Sequence, residues 1–222
     1  MDLKDKRVAV TGANGALGRA VVARARALGA EVLEIDIVFP ADAGPACHSV
    51  DLADAGATAA LFASLGRIDV LMNVAGGFDM GPPTWEVSDA DWEQMFGINV
   101  RTMRNTVRAV VPGMIAAGRG SIVNVGALGA LKGQGNMSAY TAAKSVVMRL
   151  TESLSAEVRD KGINVNAVLP SLIDTPRNRA DMPGADYARW VGVDDLAAVM
   201  CFLGSDAARA VHGALVPVSG LV

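Results

Sequence analysis

Thr11-Gly12-Ala13-Asn14-Gly15-Ala16-Leu17-Gly18 follows the apolar run Arg7-Val8-Ala9-Val10 and leads into a helical pattern that begins at Ala16. A glycine-rich turn between a strand and a helix aims backbone N–H groups and the positive end of the helix dipole at one point, where a dinucleotide pyrophosphate binds. Gly12 lets the chain turn tightly straight after the strand, while Gly15 and Gly18 allow close approach of a phosphate and of helix to sheet. Asn14, Ala16 and Leu17 complete the expected phosphate-facing loop. Some twenty residues further on, Asp36 ends a second β-type run, where a carboxylate accepts hydrogen bonds from ribose hydroxyls and repels a 2′-phosphate. The residues after it, Ile37-Val38-Phe39-Pro40, bring no cation, so NAD is expected over NADP.

Outward from this loop, strand-like and helical stretches alternate along the whole chain. Arg7 to Thr11, Glu31 to Asp36, Asp69 to Asn73, Ser121 to Val125, Asn164 to Leu169 and Leu215 to Val218 are short, rich in Val, Ile and Leu, and bounded by turn residues, as buried strands are. Another short strand is expected to end near Val50. Helical spacing covers Ala16 to Leu28, Ala55 to Leu65, Asp89 to Ala116, Ser138 to Lys161 and Asp194 to Leu203, with Ser88 placed as an N-cap and Gly29, Gly118 and Gly162 near helix ends. This order predicts an α/β fold: a doubly wound, Rossmann-like parallel sheet of about seven strands, in a single domain spanning residues 1–222. Pro170 to Gly192, with Pro176, Pro183 and Gly184, is expected to be an irregular lid over the site.

Composition narrows the partners. A chain of 222 residues with 51% hydrophobic content can bury one substantial core, and a net charge of −3 with scattered arginines leaves no basic footprint for nucleic acid. A small-molecule substrate is expected. Cys47 and Cys201 lack the close spacing of metal or redox motifs, and no zinc ligand set can be assembled around His48 or His212, so no metal is expected. The N-terminal stretch has no signal-peptide pattern and no run is long enough to span a membrane, which gives an expectation of a cytoplasmic protein.

Tyr140 and Lys144, four apart on a helix, share one face. A free phenol with a pKa near 10 is a poor acid or base at neutral pH, but a neighbouring ammonium favours phenolate, and Lys144 is placed to act in this way. On the same helix Val146, Val147, Leu150 and Leu154 form an apolar stripe suited to pairing subunits.

With these elements in this order, the chain resembles the short-chain dehydrogenase/reductase family over essentially its whole length. The features that carry the resemblance are Thr11-Gly12…Gly18, Asp51-Leu52, Asn73-Val74-Ala75-Gly76, Asn99, Tyr140-x-x-x-Lys144 and Pro170-Ser171…Thr175. The resemblance implies hydride transfer with proton delivery by Tyr140, and contact of Tyr140 and Lys144 with the cofactor ribose. It also implies that Asn99 holds a water feeding Lys144, and that the chain forms a homodimer or homotetramer. Asp51 and Leu52 would border the adenine, Asn73, Ala75 and Gly76 would support the ribose, and Pro170, Ile173 and Thr175 would flank the nicotinamide carboxamide.

Two departures bear on chemistry. The middle glycine of the loop is Gly15, where the family's usual position corresponds to Ala16, and the position of the family's serine, thirteen before the tyrosine, is Ala127, preceded by Gly126. The Gly126-Ala127 pair, the Val74-Ala75-Gly76-Gly77 turn and the lid sequence from Leu169 to Asp186 are similar to the dihydropteridine reductase branch. Phe78, in place of a tryptophan, and the tail Gly213 to Gly220 are not. A quinonoid dihydropterin would fit a site without the serine, because its developing charge spreads over several heteroatoms. Phe78, Met182, Tyr187 and Trp190 would then supply flat apolar contacts; in the other case Gln134, Asn136 or Ser171 replaces the missing hydroxyl. The alternatives are a small carbonyl or secondary alcohol substrate handled without the serine, and a dinucleotide sensor that binds NAD without turnover.

Overall fold

The computed structural model describes residues 2–222. Seven parallel strands form one sheet: β1 (Arg7–Thr11), β2 (Glu31–Asp36), β3 (Cys47–Ser49), β4 (Val70–Asn73), β5 (Gly120–Val125), β6 (Ile163–Pro170) and β7 (Leu215–Val218). Their spatial order is β3-β2-β1-β4-β5-β6-β7, so the winding reverses between β1 and β4. At such a switch point the loops from neighbouring strands diverge and leave a crevice at their C-terminal ends. Thr11 pairs with Asn73 across that junction, which puts the glycine-rich loop and the Val74-Ala75-Gly76 turn on opposite banks of one cleft.

The strands are apolar on both faces because helices cover both. Val8, Val10, Val70, Met72, Val123 and Val168 face one layer, containing α1 (Ala16–Ala27) and α7 (Val193–Gly204). Ala9, Leu33, Ile35, Leu71, Ile122 and Val165 face the other, which includes α2 (Ala55–Leu65) and α4 (Thr102–Ala117). The period-two alternation places successive residues in different cores, and covering both faces favours apolar side chains on each, with buried polar ones such as Asn73 and Asn124 paired to one another. No helix among the described residues is long and apolar enough to cross a membrane.

Two expected helices change by more than a residue at their ends. The helix expected over Asp89 to Ala116 is α3 (Asp89–Phe96) and α4 joined by a π-helical turn at Gly97–Arg101. Ser88 caps α3 by accepting the Asp91 N–H. The helix that carries Tyr140, α5 (Ser138–Val158), ends three residues early in a 3₁₀ turn at Arg159–Lys161.

The lid is more ordered than its prolines suggest. It contains α6 (Pro176–Asp181), with Thr175 capping by accepting the Asn178 N–H and Pro176 in the first turn, where its missing N–H costs nothing. Asp174 and Arg179 close a bidentate pair at 2.6 and 2.7 Å, and Ile173 bridges to Val191 at the base. Of the α5 stripe, Val147 is buried within the protomer, while Val146, Leu150 and Leu154 are half-buried.

Candidate active site

A cleft of about 780 Å³ opens at the switch point, lined by Gly12, Asn14 to Arg19, Asp36, Asp51, Leu52, Val74 to Phe78 and the first turn of α6. Gly12 has φ +65°, and a Cβ there would meet Ala75 N at 2.8 Å; a Cβ on Gly18 would collide with the Gly12 carbonyl and lie 2.7 Å from Ala13 Cα. These positions therefore demand glycine, and the result is a backbone cradle. Thr11 Oγ1 accepts the N–H groups of Val74 and Ala75, both at 3.1 Å, and ties the two banks together. The N-cap of α1, Gly15, makes no side-chain cap, and the first turn has no acidic residue. Its free N–H groups and dipole suit an anion, so the chain's own residues fit a dinucleotide diphosphate.

At the β2 end of the cleft, Asp36 accepts the Asn14 N–H at 2.8 Å and the Ile37 N–H at 2.7 Å, which fixes its carboxylate at the rim. One cation is nearer than the sequence around Asp36 implied. Arg19 Nη1 donates to Asn14 Oδ1 at 3.2 Å. It follows the last glycine on α1 and not β2, so the residues after Asp36 do not reveal it; its position one residue past Gly18 is the signal in the sequence.

Several expected cofactor contacts lie elsewhere. Asn73 is buried and turned away from the cleft, donating to Asn124 Oδ1 at 2.9 Å and accepting from Thr106 Oγ1 at 2.8 Å, so it braces the sheet while Ala75 and Gly76 line the cleft. Pro170 is buried in β6, and Ile173, whose carbonyl accepts from Asn178 Nδ2 at 2.8 Å, lies beside the Val191 bridge; neither lines the cleft, whereas Thr175 does.

Asn99 sits in the π-helical turn, buried, with Nδ2 donating to the Gly77 and Met95 carbonyls at 3.1 Å each and Oδ1 accepting the Gly77 N–H at 3.2 Å. Its amide is thus a clamp on the turn after β4. A Cβ on Gly76 would come within 2.7 Å of Asn99 Oδ1 and 3.3 Å of Lys144 Nζ, so this glycine brings the clamp and the lysine together.

Lys144 is buried on α5 and donates from Nζ to the Val125 carbonyl at 2.9 Å. Burial pushes its ammonium down to about 8, and pushes the Tyr140 phenol up to about 12. The expected activation of the phenol by its neighbour is therefore outweighed, within the protein itself, by loss of hydration. Phe78 meets Tyr140 edge-on, and Tyr140 also borders a smaller cavity of about 210 Å³ with Asn136 and Met137.

Ala127 is buried in an apolar cluster with Ala130, Met148 and Leu169, against which Tyr140 packs. Gly126 beside it carries no hydroxyl, and a Cβ there would lie 2.5 Å from Leu169 Cδ2, so that this leucine would have to shift to admit a side chain. Two of the expected replacement donors are committed: Gln134 Nε2 to the Gly129 carbonyl at 2.8 Å, and Ser171 Oγ to the Ser219 carbonyl at 2.7 Å. Asn136, with φ +61°, lines the Tyr140 cavity.

Of the expected aromatic wall, Phe78 lines the cleft, and Tyr187 and Trp190 do not. Those two meet edge-on, the Arg179 guanidinium covers the Tyr187 ring, and the Tyr187 hydroxyl donates to the Met182 carbonyl at 3.2 Å. Met182 likewise borders neither cavity; all three build the lid because their flat or flexible surfaces are used inside it.

The family model for short chain dehydrogenases matches residues 6–185. A 2-keto-3-deoxy-L-fuconate dehydrogenase from Xanthomonas campestris pv. campestris is 36% identical over 208 residues, covering 87% of this chain and 68% of that protein. A 2-dehydro-3-deoxy-L-rhamnonate dehydrogenase (NAD(+)) from Sphingomonas sp. is 33% identical, covering 89% and 87%. Among solved structures, a protein assigned as an NAD(P)-dependent gluconate 5-dehydrogenase from Beutenbergia cavernae, with bound NADP, superposes at a TM-score of 0.89 with 30% identity, covering 99% and 97%.

Proposed function

The chain belongs to the short chain dehydrogenase family and is an oxidoreductase of that type; on that premise we propose that it is NAD(H)-dependent and works as a reductase of a planar, conjugated acceptor of the quinonoid dihydropteridine class. The observation that carries this reading is the wall around Tyr140: apolar Ala127 where the family's serine would stand, and the Phe78 ring edge-on to the phenol. A carbonyl oxygen developing negative charge would go without that hydroxyl donor, whereas a conjugated ring spreads the charge and gains from an aromatic neighbour.

Bound nicotinamide supplies the hydride. The chain's residues do the rest. Gly12, Gly15 and the α1 N-terminus hold the diphosphate, and Asp36 accepts from ribose hydroxyls and disfavours a 2′-phosphate. Tyr140, protonated through neutral pH, donates its proton to the substrate heteroatom. Lys144, titrating at about 8, returns a proton to Tyr140 while gripping the Val125 carbonyl. Asn99 holds the Gly77 turn so that Phe78 and Lys144 keep their places. A phenol at about 12 is fully protonated at neutral pH and so stands in the form that can donate.

A second reading, reduction or oxidation of a keto sugar acid or related secondary alcohol, is favoured by the names of the two relatives and by Asn136 as a remaining amide donor beside Tyr140. NADH consumption measured with quinonoid dihydropterin, a quinone, an aldehyde and a 2-keto-3-deoxy sugar acid separates the two. Turnover of the sugar acid alone would replace the first reading by the second. We further propose assembly as a homodimer or homotetramer through α5, whose Val146, Leu150 and Leu154 are incompletely covered; a monomer by light scattering at micromolar concentration would refute it.

A further inference from the structure

A parallel sheet gathers at one end the residues that precede its strands, however far apart they lie in the chain. Lys4 and Lys6 stand before β1, Arg67 and Asp69 before β4, and Arg119 before β5, while Arg209 closes the short turn that follows α7. There, at the end of the sheet opposite the dinucleotide cleft, a cavity of about 490 Å³ opens. Its size falls in the range of small-molecule sites, roughly 300–1,000 Å³. All five of those cations line it, against three carboxylates, Asp5, Asp69 and Asp206. Cations are in excess here although the chain as a whole carries −3, and a concave wall with an excess of one sign concentrates the field on whatever enters.

The carboxylates account for only two of the cations. Asp206 pairs with Lys6 at 2.6 Å, and buried Asp69 pairs with Arg67 at 3.0 Å while accepting the Arg7 N–H at 2.9 Å. Arg119 reaches Asp69 only at 3.8 Å, from a side chain that is 64% exposed, and a pair of that kind contributes little. Lys4 and Arg209 have no side-chain hydrogen bond or ion pair among the described residues. Asp5, exposed in the turn before β1, likewise has no cation of its own.

Two uncharged groups in the same wall are also unpartnered. Ser121, at the start of β5, is nine-tenths buried, and its hydroxyl makes no hydrogen bond among the described residues. A buried hydroxyl left in that state costs free energy that a ligand would relieve. Asn164 spends its Nδ2 on the Ala208 and Val211 carbonyls at 3.0 and 2.9 Å, which leaves Oδ1 as an acceptor with no donor. Helix ends nearby draw cations to this end of the sheet, but that attraction explains neither the hydroxyl nor the amide oxygen.

We propose that this cavity is a second ligand site, for a small hydroxylated organic phosphate. Lys4, Arg119 and Arg209 hold the phosphate, the guanidinium forks matching its oxygens, and Ser121 and Asn164 take hydroxyls of the carbon skeleton. The site is independent of what the cleft at the other end of the sheet binds. An occupant ties the starts of β1, β5 and β6 to the end of α7, so binding stabilises the fold by linkage.

The test uses the full chain with glucose 6-phosphate, inorganic phosphate and glucose as probes. In calorimetric titration the double variant Arg119→Gln/Arg209→Gln should lose about tenfold or more in glucose 6-phosphate affinity, with NADH affinity the same as in wild type. Ser121→Ala should lose several-fold, and Asp5→Asn should bind more tightly because an opposing charge is gone. Glucose 6-phosphate should raise the Tm of wild type above the value in sodium chloride of equal ionic strength, and glucose should not. Four results each overturn the proposal: no binding of glucose 6-phosphate by wild type at millimolar concentration, equal affinity in wild type and the double variant, an equal rise in Tm from sodium chloride, or inorganic phosphate binding as tightly as glucose 6-phosphate.

Discussion

The rings of Phe78 and Tyr140 stand 4.9 Å apart at their centroids with their planes at 87°, so the one aromatic side chain on the cleft wall is also the one that shields the reacting phenol. Tyr140 sits at about 12 because burial removes water from its oxygen, and Phe78 is part of that cover. Phe78→Ala should let the phenol fall back toward 10, moving the alkaline limb of the reductive rate to lower pH. It should also weaken a planar substrate by several-fold, since an aromatic pair is worth about 0.5–1.5 kcal/mol. An unmoved pH profile in this variant would show that Phe78 does not shield the phenol.

Cofactor choice turns on Asp36, whose two oxygens are oriented by the Asn14 and Ile37 amides. A carboxylate near a 2′-phosphate costs about 1–4 kcal/mol at contact distance in partly hydrated surroundings. NADH should bind at least tenfold more tightly than NADPH. Asp36→Ala should narrow that gap, and Arg19→Ala on top of it should reopen it by removing the cation that Asn14 holds nearby. Equal affinities in wild type would remove the assignment of NAD.

Lys144 makes a stability prediction with a definite sign. Its folded pKa, about 8, lies below the ordinary 10.5, so between those values the unfolded chain binds more protons than the folded one. Stability contributed by this group therefore rises with pH across that window and is lowest below about 8, where a charged ammonium stays buried. Lys144→Met should raise stability by about 1–3 kcal/mol at pH 7, abolish the rise between 8 and 10, and destroy turnover. A variant less stable than wild type at pH 7 would mean that the ammonium is better compensated than its one bond to Val125 implies.

The fold was legible because the strands are separated by clear turns and the central ones carry apolar residues toward both layers, whereas β3 (Cys47–Ser49), half-buried at the sheet edge, showed only as a short run ending near Val50. Gly12, Gly18 and Gly76 were legible as motifs, and the clashes that a Cβ would cause give the physical reason for them. What could not be read was direction. Asn73, Ser171, Gln134, Tyr187 and Trp190 all sit close in sequence to the site, yet tertiary hydrogen bonds and ring packing turn each of them elsewhere. The π-helical turn at Asn99 was hidden for a similar reason: periodicity through Asp89 to Ala116 continues across it, and the extra residue is stabilised by side-chain bonds to Gly77 and Met95. Arg19 could be found only from its place one residue past Gly18, and its seat on the cleft wall needed the fold.

Ala127 separates the two substrate classes. Ala127→Ser restores one hydroxyl donor, an addition that can be worth about 10²–10³ in rate where negative charge develops on a single oxygen. Activity toward simple ketones should rise, while reduction of a quinonoid dihydropterin should stay level or fall slightly because the hydroxyl enters the apolar cluster around Met148 and Leu169. Acceleration of the quinonoid reaction would show that its charge is localised after all.

The central claim is that Tyr140 delivers the proton for an NADH-linked reduction. Its most direct measurement is single-turnover NADH oxidation by wild type and Tyr140→Phe on quinonoid dihydropterin, with NADH affinity determined for both proteins. The account predicts consumption of NADH by wild type, a fall of about 10²–10⁴-fold in the rate for the phenylalanine variant, and NADH affinity that is nearly the same in the two. Equal rates in the two proteins, or no NADH consumption by wild type, would contradict it.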